Sequence, residues 1–232
     1  MANNNEKKGA LNVNEHLSNS EAFFVKNQKA LLIGVIIIIV LVAGFFLYKQ
    51  YVAGPRNDEA STKLAKAQEY FNQEMYDKAL NGDGAGCTGF KGIISDYSGT
   101  DAKNLANLYA GICCVNMGKY QDAVNYLEDY DSSDDEMISP AAEAALGNAY
   151  AYVKQYDKAV EALKKAASMA DKEAQDGVNN SLSPRFLIQA AEILENQGKK
   201  DEALEIYKDI KSKYLNSPVR QEIDKYIERA TK

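Results

Sequence analysis

The chain is poor in the residues that do chemistry. It has one histidine, His16, set in an Asn-rich polar stretch, where a lone imidazole reads as a solvated side chain rather than a base or a ligand. It contains no Cys-x-x-Cys, His-Glu-x-x-His, Gly-x-Ser-x-Gly or phosphate-loop pattern. No catalytic residue, metal ligand or cofactor site is therefore expected. Three cysteines cannot all pair within one chain. Cys113 and Cys114 are adjacent in an apolar stretch and read as packing residues, whereas Cys87 lies in a glycine-rich segment. In an oxidising compartment Cys87 could pair with one of the other two. Also missing is a basic stripe. From residue 53 onward 22 Lys and Arg face 30 Asp and Glu, a net charge of −8, which excludes a nucleic-acid groove. The densest acidic run, residues 128–136, lacks the glycine turn and closing glutamate of a calcium loop, and reads as a solvated connection.

What the chain does have is one long uncharged run, residues 30–48, bracketed by Lys29 and Lys49 and closed by Phe45, Phe46, Tyr48 and Tyr51. Nineteen such residues suffice to cross the hydrocarbon core of a bilayer, and the aromatic residues match an interfacial belt. The run is too long for a cleaved signal, and Tyr51 is too bulky for the position three before a cleavage site at Ala53. An uncleaved anchor is expected. Charge does not orient it: Lys7, Lys8, Lys26 and Lys29 precede the run, and Lys49, Arg56, Lys63 and Lys66 follow it.

The second feature is a repeat. YDKA occurs at 76–79 and again at 156–159, and Tyr120-Gln-Asp-Ala123 and Lys200-Asp-Glu-Ala203 complete a series of alanines at 79, 123, 159 and 203. Spacings of 44, 36 and 44 residues suit stacked helix pairs, in which no unit can bury its own apolar face alone. Around Ala159 stand Leu146, Gly147 and Tyr150, then Leu163 and Ala166, all on one helical face. Around Ala123 stand Ala110, Gly111, Cys114 and Leu127, and around Ala203 stand Ala190, Ala191 and Leu194, then Tyr207, Ile210 and Pro218. Gly111 and Gly147 should let paired helices approach, and Gly118 and Gly198 should end the first helix of a pair. YDKA should open the second helix, with Asp at its positive end. Four glycines in residues 81–89 break the second helix of the first unit, which should resume over 90–97.

This pattern resembles the tetratricopeptide repeat (TPR), and the resemblance covers residues 59–232. It implies an all-α fold: a single N-terminal transmembrane helix followed by a TPR-like right-handed α-solenoid. The expected divisions are a polar tail at 1–29, the span at 30–48, a linker at 49–58, and about four helix pairs with a C-terminal capping helix at 59–232. With the approach segment Phe23-Phe-Val-Lys-Asn-Gln-Lys-Ala30, the layout is similar to the ancillary SecYEG-translocon subunits with periplasmic chaperone activity. That likeness implies the bacterial inner membrane, a single pass, a cytoplasmic N-terminus and a periplasmic repeat domain.

In such solenoids the first helix of each pair lines the concave face. Alignment on the alanines places Leu64, Gln68 and Phe71 there, then Leu108, Ile112 and Val115, then Ala144, Asn148 and Tyr152, then Ile188, Glu192 and Glu195. Without Lys or Arg among these positions, a clamp for a C-terminal carboxylate is not expected. Residues 105–117 are apolar all round, so this strip is either a protein-binding groove or buried in the solenoid. Asn72, Asn116 and Asn196 recur at one position and read as helix C-terminal caps. The expected role is non-enzymatic: binding unfolded or extended apolar protein segments as a translocon accessory or chaperone, with a scaffold for an envelope or cell-division complex as the alternative.

Overall fold

The computed structural model describes residues 10–232, with side chains from residue 27 onward. Lys7 and Lys8 lie outside the described residues, as do the side chains of His16, Phe23 and Lys26. The chain divides into two compact units, Met1–Pro55 and Arg56–Lys232. In the first, α1 (Ala10–Tyr48) contains the uncharged run and much of the segment expected as a polar tail. Five residues of π-helix, Lys49–Ala53, follow it, so the expected linker at 49–58 is helical too.

The second unit is built from helix pairs, and among the described residues there is no strand. α2 (Gly54–Asn72) carries Pro55 directly after the π-helical residues. It pairs with a second helix split into α3 (Tyr76–Asn81) and α4 (Gly89–Asp96), as the glycine run predicts. Then come α5 (Asp101–Asn116) with α6 (Tyr120–Glu128), α7 (Ile138–Tyr152) with α8 (Tyr156–Glu173), and α9 (Ser183–Asn196) with α10 (Lys200–Lys213). A 3-10 turn, Pro218–Gln221, leads to the closing helix α11 (Ile223–Thr231).

The repeat is legible bond by bond. Each first helix ends on a residue with positive φ: Glu74 at 59°, Gly118 at 72°, Lys154 at 65° and Gly198 at 76°. Each such residue returns its N–H to the carbonyl three back, and the next residue bonds five back: Met75 to Tyr70, Lys119 to Cys114, Gln155 to Tyr150, Lys199 to Leu194. These paired bonds close the last turn of a helix and aim the chain into its partner. Four residues on, Ala79, Ala123, Ala159 and Ala203 are all fully buried. The tetrapeptide therefore begins the second helix, with Asp77 and Asp157 in the first turns of α3 and α8.

Small residues set the spacing within a pair. A Cβ on Gly111 would lie 2.5 Å from Leu127 Cγ, and one on Gly147 would lie 2.8 Å from Leu163 Cγ and 3.1 Å from the Ala159 carbonyl oxygen. α5 and α7 thus approach α6 and α8 more closely than any side chain permits. The first unit is held differently. Asp83, in the loop that interrupts its second helix, accepts backbone N–H bonds from Ala85, Gly86 and Cys87 and the hydroxyl of Tyr70. Those bonds hold its carboxyl far below the ordinary range.

Candidate protein-binding surface

The residues expected on the concave face divide into two groups. Leu64, Leu108, Ala144 and Ile188 are buried and belong to the packed core, which corrects their assignment to an open groove. They sit on the side of each first helix that meets its neighbours, so their apolar character serves packing. Gln68, Phe71, Ile112, Val115, Asn148, Glu192 and Glu195 are half-buried, and Tyr152 is 58% exposed. Tyr152 also lies one place beyond the register: the residue eight before the buried alanine is Phe71, Val115, Ala151 or Glu195.

Phe71 has a packing role as well. Its ring meets Tyr109 at 5.0 Å, Tyr76 at 5.8 Å and Phe90 at 6.4 Å, each edge to face, which ties α2 to α3, α4 and α5. Tyr152 stacks flat on Tyr120 at 4.1 Å and links α7 to the start of α6. Asn148 Nδ2 donates to Gln189 Oε1 at 3.4 Å, so α7 and α9 face each other along this side. Asn116 Nδ2 donates to the Ile112 carbonyl at 2.9 Å, the C-terminal capping bond expected of it. What stays accessible is a strip of Ile112, Val115 and Ala151, uncharged throughout, with Tyr152 at its edge.

At the far end the strip becomes acidic. Glu195 accepts from Arg229 of α11, whose Nε lies 3.2 Å from Oε1 and whose Nη2 bonds Oε2, and from the Tyr207 hydroxyl at 2.9 Å. Burial raises the Glu195 carboxyl, but the bonds from Arg229 and Tyr207 outweigh it and leave the group below its usual value. Glu192 is more open, with Arg229 Nη2 at 3.7 Å. With Asn196 these side chains line a cleft of about 400 Å³.

A second cleft, of about 460 Å³, lies beside α8 and α10 around the buried Asp171. This carboxylate accepts from Lys213 Nζ at 2.6 Å, Tyr214 Oη at 2.7 Å, Ser183 Oγ at 2.7 Å and the Asn179 N–H at 2.8 Å. It joins the end of α8, the start of α9 and the end of α10, a knot that nothing in the local sequence announces. The cysteines are all free and buried. Burial pushes the Cys113 thiol up to about 12 and the Cys114 thiol to about 11, so neither is a nucleophile at neutral pH.

Stacked helix pairs with a recurrent buried alanine and a recurrent left-handed turn define an α-solenoid of the TPR class. The tetratricopeptide repeat-like domain family matches residues 21–209, and the chain belongs to that family. The matched stretch takes in the uncharged run of α1 as well as the repeats. No curated protein matches the sequence. Among solved structures it is similar to the nearly identical TPR-like repeats of a Podosopora anserina protein described as a kinesin light chain. The TM-score is 0.56 at 17% identity, over 75% of this chain and 86% of that one. A single-substitution variant of the same repeats gives 0.55 at 17% identity, over 75% and 85%. At this identity the likeness concerns the fold. Repeats of this class are typically non-catalytic scaffolds for protein–protein interaction.

Proposed function

We propose that the chain is a membrane-tethered interaction module that receives unfolded or extended apolar protein segments beside the bacterial inner-membrane translocon, with its repeats in the periplasm. The observation that carries this reading is the α1 run: its most apolar window of 18 residues has a mean hydropathy of 3.3, and none of it is buried. An exposed apolar run of that length suffices to cross the hydrocarbon core of a bilayer and supports a membrane anchor. The uncharged strip of Ile112, Val115 and Ala151 supports the client class, because a neutral, half-buried surface gains by covering apolar side chains. The approach segment at 23–30 supports the translocon, through its likeness to the ancillary subunits.

Two measurements test it. Protease added to spheroplasts should digest residues 49–232, and inverted vesicles should spare them; the opposite pattern removes the periplasmic reading. The full chain in vesicles should also suppress aggregation of an unrelated unfolded protein. Digestion as expected without such suppression leaves a scaffold instead.

A further inference from the structure

The accessible strip changes character along the stack. Eleven and eight places before each buried alanine stand Gln68 and Phe71, then Ile112 and Val115, then Asn148 and Ala151, and finally Glu192 and Glu195. Three helices present no charge at these positions, and the fourth presents two carboxylates. We infer that this face binds a protein segment whose apolar stretch is flanked at one end by Lys or Arg, the basic end seated against Glu192. The inference rests on the proposed function and adds the chemistry and polarity of the client.

The capping helix shows how a guanidinium is received there. Arg229 reaches Glu195 with a two-pronged contact and is backed by the Tyr207 hydroxyl. Glu192 shares this cation only at 3.7 Å, beyond hydrogen-bond length, and its side chain is 43% exposed. Among the described residues it accepts no hydrogen bond. With Glu195, Asn196 and Arg229 it lines a cleft of about 400 Å³, large enough to take a second cation beside the guanidinium. An acidic client end would meet two carboxylates against the single charge of Arg229, already engaged by Glu195. A second copy of the repeats, carrying the same net charge of −8 beyond residue 53, would be repelled as a whole.

The test uses the full chain in detergent micelles and three fluorescent Leu/Ala peptides that differ only in a terminal pair of Lys, Gln or Glu. In low salt the Lys peptide should bind about three- to tenfold more tightly than the Gln peptide, and the Glu peptide should bind more weakly, the order collapsing in high salt. Glu192→Gln should bring the Lys peptide to the level of the Gln peptide without moving the melting temperature. Glu205→Gln, an exposed change on α10, should preserve the order and so separates the cleft from general acidity. Equal binding of all three peptides, or a Lys preference that survives Glu192→Gln, overturns the inference while leaving an apolar groove in place. Failure of all three to bind removes the groove itself.

Discussion

Lys154 and Gly118 hold the same backbone conformation at the same turn of successive repeats, with φ of 65° and 72°. Only the second is a residue suited to it. A left-handed conformation costs an L-residue with a Cβ roughly 1–2 kcal/mol, and the added chain entropy of glycine takes back about half of that. Lys154→Gly should therefore raise stability by about 0.5–1 kcal/mol, and Glu74→Gly should do the same. Lys154→Ala is the control and should gain nothing. The check is chemical denaturation with an unchanged slope; a loss of stability in Lys154→Gly would mean that the lysine side chain holds the turn.

The close approach of α7 to α8 makes an opposite expectation. Gly147→Ala improves helix propensity by about 1 kcal/mol but drives a methyl into Leu163 and the Ala159 carbonyl, and overpacking of this kind costs roughly 1–3 kcal/mol. Because one of the clashing atoms is backbone, a net loss is expected. Ala159→Leu, at a fully buried position, should also lower the melting temperature. Lys158→Ala, at an exposed neighbouring position, should shift it little. Equal melting of the three would refute the register.

The register was legible in the sequence because it is written in residue size. Buried alanines and close-packed glycines have few substitutes, so they recur at the same places in successive helix pairs although the pairs differ in length. The left-handed turns were only half legible: glycine marks two of them, and Glu74 and Lys154 adopt the conformation because the bonds from Met75 to Tyr70 and from Gln155 to Tyr150 impose it. The surface was less legible still. Helical periodicity assigns a residue to a face, but Leu64, Leu108 and Ile188 show that a face includes the seam with the next helix. The acidic end of the strip depends on Arg229, 34 residues after Glu195, a pairing that only the packing of α11 creates.

Phe71 and Tyr152 should separate packing from binding. Phe71→Ala removes a ring that meets three others and should destabilise by about 3 kcal/mol. Tyr152→Ala loses one exposed stack on Tyr120 and should cost about 1 kcal/mol or less. Tyr152→Ala should fold and bind a Leu/Ala peptide more weakly, read by anisotropy alongside melting. Undiminished affinity would take the edge of the strip out of the binding surface.

Asp171 is one of the depressed carboxyls that make the fold sensitive to acid. Burial alone would raise its carboxyl, yet the bonds from Lys213, Ser183, Tyr214 and the Asn179 N–H hold it below its ordinary value of 3.8. Lys164 and Asp209 also line the cleft at this knot, with opposite charges. A carboxyl whose folded value is depressed contributes its full stability above the unfolded value, and loses it as pH falls through the folded one. Asp135, held down to about 2 in spite of burial by bonds from Ser139, Met137 and Ser133, loses its contribution as pH falls from 3.8 towards about 2. Asp171→Asn keeps the shape but weakens the acceptor for Lys213, so it should cost roughly 1–3 kcal/mol at neutral pH. That difference should be constant well above the ordinary carboxyl value of 3.8 and shrink progressively as pH falls below it, as the wild-type carboxyl takes up its own proton. Urea unfolding of both proteins at each pH would measure it. A gap that persists undiminished to the acid end would show that Asp171 acts through its packing and not through its charge.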